Sequence, residues 1–184
     1  MNRKIKMNLR ALLNYIRFLP LVLRKTVDIK GRQFWALGSS LEIDEKAIVN
    51  IKKWCQVEKG TLLAARTGGI LTLGKNTFLN QNCIVVARDK IEISDNVTIG
   101  PNCCIYDHDH DLNSRGKYTM APVIIKENSW LGAGCIILKG VTIGANCVIA
   151  AGAIITHDVP DNKVIYQKRE SKYVEKYMNK LELS

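Results

Sequence analysis

From Ile125 onward, apolar residues return at every sixth position: Ile125, Leu131, Ile137, Ile143, Ile149 and Ile155. Four places after each stands a small or medium residue, in turn Ser129, Cys135, Val141, Cys147, Ala153 and Val159. The same rule holds for Leu73, Leu79 and Val85 with Thr77 and Cys83, for Ile93, Ile99 and Ile105 with Val97 and Cys103, and for Ile51, Val57 and Leu63 with Cys55 and Thr61. Six residues turn an α-helix by about 600°, so these side chains would wander around a helix axis instead of forming a stripe. A coil with three flat sides of six residues keeps them together. The first position points into a narrow prism and the small residue fills the corner. Gly74, Gly100, Gly132, Gly144, Asn96, Asn128 and Asn146 are expected to make the sharp turns at positive φ. The pattern therefore predicts an all-β solenoid.

The segments outside the repeat read differently. Leu9, Leu12, Leu13, Ile16 and Leu23 fall near helical spacing, while Arg10, Arg17 and Arg24 recur every seven residues on another face. This basic amphipathic helix is expected either to cap the open end of the prism or to lie on anionic lipid, and the two roles are compatible. Tyr173, Val174, Tyr177, Met178 and Leu181 predict a short C-terminal helix used for packing. The expected organisation is thus a helical segment over 1–32, the solenoid over 33–160 with a loop at 106–123, and a helical tail over 161–184.

Charge and cysteine content sharpen this picture. The chain of 184 residues carries a formal charge of +10. Residues 1–32 hold nine Lys or Arg against the single acid Asp28, whereas basic and acidic residues balance over 33–159. The basicity belongs to the helix and not to a groove, and no nucleic-acid partner is expected. The apolar stretch Phe18–Leu23 is broken by Pro20 and is too short for a membrane span or a secretory signal, so a cytoplasmic location is expected, at the inner membrane face if the helix touches lipid. There the cysteines need not pair. Cys55, Cys83, Cys103, Cys135 and Cys147 all occupy the small slot of the repeat, where free cysteine packs as a small apolar residue. None has the close pairing that zinc sites use, and no metal is expected.

Apart from short phase shifts between blocks, the repeat is interrupted over Tyr106–Val123, with the sequence YDHDHDLNSRGKYTMAPV. Insertions into a repeat become loops, and loops on a rigid scaffold carry function. This loop, followed by PVIIKENSWLGAGCIILKGVTIGANCVIAAGAIITHDVP, resembles the hexapeptide-repeat acyltransferases, in particular the maltose and galactoside O-acetyltransferase branch and the O-acetyltransferases of bacterial polysaccharide synthesis. The resemblance covers roughly residues 43–159. It implies a left-handed parallel β-helix, a homotrimer with sites between neighbouring prisms, acetyl-CoA as co-substrate, and a sugar or glycan hydroxyl as acceptor.

The resemblance places the general base on His108. The chemistry agrees: a thioester is already a good electrophile, a sugar hydroxyl is a poor nucleophile, and one imidazole supplies the missing base. Direct transfer needs no covalent acyl-enzyme. A metal ligand or a solvated loop residue are the other readings of His108. Asp107 and His110 stand beside it as candidate acceptor contacts, and Asp107 or Asp109 could orient the imidazole. On the donor side the resemblance implies that Trp130, Gly132 and Ala133 line the thioester channel, with Ala133 where relatives carry a serine. It implies that Ala151 and Gly152 grip the pantetheine arm, and that Thr156 and His157 lie near the nucleotide, with His157 replacing a lysine. Lys168 and Arg169 are candidates for the CoA phosphates. Asn80 and Asn82 resemble acceptor-facing asparagines. Arg88 stands in place of an aspartate, which suggests a different, anionic acceptor. Acetylation of an amine and a non-catalytic binding prism are the remaining alternatives. A β-helix carbonic anhydrase would need three separated histidines, which the adjacent His108 and His110 do not provide.

Overall fold

The computed structural model describes residues 3–167. One helix, α1 (Arg3–Val22), precedes a parallel β-solenoid whose three sheets hold six, seven and six strands. Each coil runs through three faces. Taking one coil as an example, Ile70–Leu73 lies on the first face, Phe78–Leu79 on the second and Ile84–Ala87 on the third. The coils extend from Val27–Ile29 to Val164–Ile165, and the architecture is that of the left-handed β-helix. Val164–Ile165, expected in the helical tail, is instead a strand that pairs with Val148–Ile149 and continues the second face; the rest of the expected tail, with Lys168 and Arg169, lies outside the described residues.

The six-residue spacing reappears as inner ladders. Leu79, Ile99, Leu131 and Ile149 are in register on the second face, and Leu63, Val85, Ile105, Ile137 and Ile155 on the third. All but Ile155 are completely buried. Removing such a side chain leaves a cavity flanked by rigid coils, a change that costs about 2–5 kcal/mol for Leu→Ala. The corner-filling cysteines are buried and unpaired.

The turns divide the labour between residue types in a way the pattern alone did not separate. Asn76, Asn82, Asn96, Asn102, Asn128, Asn146 and Asn162 take positive φ, as do Lys46, Trp54 and other glycines such as Gly134, Gly140 and Gly152. The four expected turn glycines are not at positive φ; they are required by close approach. A Cβ on Gly132, for example, would stand 2.6 Å from the backbone nitrogen of Ala151 in the next coil. Along the corner between the first and second faces, asparagine side chains form a ladder of amide hydrogen bonds. Asn76 donates to Asn96 (3.1 Å), Asn96 to Asn128 (3.2 Å), Asn128 to Asn146 (3.2 Å) and Asn146 to Asn162 (3.1 Å).

α1 closes the open end of the prism. Phe18 packs edge-on against the buried Trp35 of the first coil, with ring centroids 5.0 Å apart. The first coil would otherwise present unpaired carbonyls along its edge. Asn14 donates to the carbonyl of Trp35 (2.9 Å), Arg17 to that of Ser39, and Arg24 to that of Ile43 (3.3 Å). Arg10 forms an ion pair with Glu58 at 3.0 Å. The regularly spaced arginines therefore face the solenoid.

Candidate active site

The corner between the third and first faces carries the histidine cluster. Strand Cys104–Tyr106 ends the third face, and the chain then leaves the solenoid as an antiparallel hairpin, His108–His110 against Tyr118–Met120. The hairpin is tied back by the Ala121 amide, which donates to the Asp107 carbonyl at 2.9 Å. Asp107 is fully buried at the hairpin's root. Its carboxylate accepts from the amides of Arg88 (2.9 and 3.0 Å) and Asp89 (2.8 Å), and meets His108 Nδ1 at 3.0 Å. Because a buried carboxylate accepts, Nδ1 is the protonated nitrogen and Nε2 keeps its lone pair.

The imidazole is confined on both sides. Tyr106 and Tyr118 meet it edge-on, with centroids at 5.8 and 5.5 Å. The Arg88 guanidinium lies 3.7 Å above the Tyr118 ring, and its buried Nε has no hydrogen-bond partner among the described residues. His110 lies 4.8 Å from the same ring but is exposed. Lys139, from the coil above, pairs with Asp109 at 2.9 Å and donates to Thr119 at 2.6 Å, fixing the hairpin's base. A hollow of about 520 Å³ beside it is lined by Asp109, His110, Leu112, Asn113 and Lys139, among others. Among the described residues no group of His, Cys, Asp and Glu could hold a metal ion.

The corner between the second and third faces carries the other set. Trp130 is half exposed and in register with Thr98 and Val148. Gly132 follows it at the turn, and the Gly152 amide donates to the Ala133 carbonyl at 2.7 Å, so that Ala133, Ala151 and Gly152 stack in adjacent coils. Asn80 and Asn82 stand at the same corner lower down. Thr156 and His157 follow the third face at the same corner as His108, two coils further along, with Thr156 Oγ1 and His157 Nδ1 2.8 Å apart.

The structure thus brings Arg88, Asp107, His108 and His110 together, and separately Trp130, Gly132, Ala133, Ala151 and Gly152. Within one chain the third face lies between the two groups. Its outward ladder of Leu62, Ile84, Cys104, Ile136 and Ile154 is apolar. Tyr118, Tyr106 and Lys139 were not singled out from the sequence; only the hairpin register, which pairs His110 with Tyr118, reveals them.

Residues 122–157 match the bacterial transferase hexapeptide model of six repeats. A galactoside O-acetyltransferase of Lactococcus lactis is 42% identical over 97 residues, 50% of this chain and 47% of that protein. The nodulation protein L of Rhizobium meliloti is 42% identical over 94 residues, 49% of this chain and 51% of its own. Among solved structures, a maltose O-acetyltransferase from Clostridium difficile superposes with a TM-score of 0.51 at 28% identity, covering 88% of this chain and 77% of that one. The chain spans about half the length of the curated relatives it matches. It carries the repeat and the fold of the hexapeptide acyltransferases, and its relatives include galactoside and maltose O-acetyltransferases.

Proposed function

We propose that this protein transfers the acetyl group of acetyl-CoA to a sugar hydroxyl, with His108 as general base and a glycan of bacterial surface polysaccharide synthesis as acceptor. The observation that carries this reading is the His108–Asp107 pair: a largely enclosed imidazole whose Nδ1 is engaged by a buried carboxylate, which leaves Nε2 to face a reactant. Nε2 takes the hydroxyl proton as the oxygen attacks the thioester carbonyl. The tetrahedral intermediate then expels CoA thiolate, which receives the proton from the imidazolium. The Ala133 backbone amide serves the oxyanion, the Gly132 amide being engaged by the Ile149 carbonyl at 2.7 Å; relatives carrying serine would use a hydroxyl in this role. Trp130, Ala151 and Gly152 form the wall for the pantetheine arm, and Thr156, His157, Lys168 and Arg169 serve its nucleotide end. Asn80, Asn82, Arg88 and His110 serve the acceptor.

The two groups stand at opposite edges of the apolar third face, so one chain holds half of two different sites. A second copy laid across that face brings its His108 corner to the Trp130 corner, and three copies close the arrangement. The test is thiol release from acetyl-CoA with a panel of mono-, oligo- and nucleotide-linked sugars. His108→Ala is expected to lower kcat by about 10² to 10⁴ on the best acceptor. A variant that retains near wild-type kcat would refute the mechanism.

A further inference from the structure

The end cap has its polarity reversed. Terminal units of a solenoid need a polar outer surface for solubility, yet three polar residues of α1 are turned to the solenoid, Asn14 and Arg17 on carbonyls of the first coil and Arg10 on Glu58, and Arg24 just past the helix reaches a third carbonyl. The side facing away from the prism is aliphatic along its length. Ile5, Leu9, Leu12, Ile16, Leu19 and Leu23 recur at spacings of four and three, and Leu12, Ile16 and Leu23 are 60%, 62% and 81% exposed. A groove of about 450 Å³ along the helix flank, walled by Tyr15, Phe18, Leu19, Val22 and Ile29, extends the apolar surface, with Arg32 lining it.

We infer that this face docks on an anionic lipid bilayer, with α1 lying in the plane of the interface. Charge selects lipid over a second copy of the chain. Lys6, Arg24, Lys25, Lys30 and Arg32 are exposed around the helix against the single exposed acid Asp28, while 33–159 are balanced. Two copies meeting cap to cap would bring together two surfaces of the same sign, whereas an anionic leaflet complements that surface. Among the described residues no helix is long and apolar enough to cross a membrane. The contact is therefore interfacial, of the kind made by a helix that buries one apolar side to the depth of the headgroups. The inference does not depend on acetyl transfer.

Cosedimentation of the full chain with vesicles tests it, using phosphatidylcholine alone and phosphatidylcholine with 30% phosphatidylglycerol. The wild type is expected to pellet with the anionic vesicles and to be released by raised salt. Leu12→Glu with Ile16→Glu is expected to bind more than tenfold more weakly while keeping the wild-type melting temperature, because neither side chain packs on the solenoid. Sedimentation velocity without lipid is run in parallel. The inference is overturned if the wild type stays in the supernatant with every vesicle, if the double variant binds as the wild type does, or if the double variant instead dissociates a lipid-free assembly whose wild type ignores vesicles.

Discussion

Asp107→Asn separates the two duties of one carboxylate. Oδ1 meets His108 Nδ1 and the Arg88 amide, while Oδ2 receives the amides of Arg88 and Asp89. An asparagine has one oxygen, so it can satisfy one side only. If the oxygen stays toward His108, the Asp89 amide faces an NH2 group and a charge-assisted hydrogen bond is lost, at about 1.5–3 kcal/mol. For a chain of this size that lowers Tm by roughly 3–12 °C. If the amide flips, its NH2 donates to Nδ1, the imidazole takes the other tautomer, and Nε2 carries a proton where a base is needed. Kcat then falls by about 10² to 10⁴. Melting curves and acetyl-transfer kinetics on Asp107→Asn, His108→Ala and the double variant distinguish these outcomes. Because Asp107 acts through His108, its effect on kcat should vanish in the His108→Ala background while its effect on Tm persists. Wild-type Tm together with wild-type kcat for Asp107→Asn would sink the reasoning, as would additive losses of kcat in the double variant.

Two further predictions test the scaffold. Only Cys104 of the six cysteines is accessible, and burial pushes the Cys55 thiol up to about 12; Ellman's reagent should therefore titrate at most one thiol in the native protein and six in guanidinium. Cys104 stands in the third-face ladder, and its protection at high protein concentration would report a copy seated there, whereas fast labelling of several thiols would contradict the packed corners. At Glu58, burial pushes the carboxyl up, but hydrogen bonds from Arg10 and Gln56 and the charges of Arg10 and Lys6 outweigh it and hold it below the ordinary value. A carboxyl depressed in the folded state stabilises above its unfolded pKa and loses that contribution as pH falls through the folded one. Wild type should thus exceed Glu58→Gln by about 1 kcal/mol at pH 7, a solvent-screened pair worth about 2–4 °C, and the gap should close as pH falls below the ordinary glutamate range. A gap independent of pH would show that the ion pair does not anchor the cap.

The coils were legible in the sequence because a spacing of six allows only one simple geometry for Ile125 through Ile155, and a regular pattern needs no knowledge of distant partners. The histidine corner was legible in part: His108 stands out at the break in the repeat. Asp107 was one of two aspartates expected to orient it, but the surroundings of the pair were not legible. Tyr118 reaches Arg88 and His108 only through the hairpin register, and Asp107 is separated from its backbone donors Arg88 and Asp89 by a whole coil. The heptad of arginines showed an amphipathic helix without saying which side turns inward. That is decided by the unpaired carbonyls of Trp35, Ser39 and Ile43, which outcompete water for the arginines and Asn14. The glycines followed the same logic, since neighbouring coils, and not local φ, exclude a side chain at Gly132.

The asparagine ladder sets how such a chain can change length. Asn96 and Asn128 are 32 residues apart, Asn128 and Asn146 only 18, yet both hydrogen bonds are 3.2 Å. The additional residues leave at the opposite corner as the histidine hairpin, and the row of amides does not register them. A single residue deleted between two rungs would slide every later rung and turn buried ladder positions outward. Length can therefore vary in whole coils or at the hairpin, and the hairpin is where a new acceptor can be accommodated without disturbing the prism.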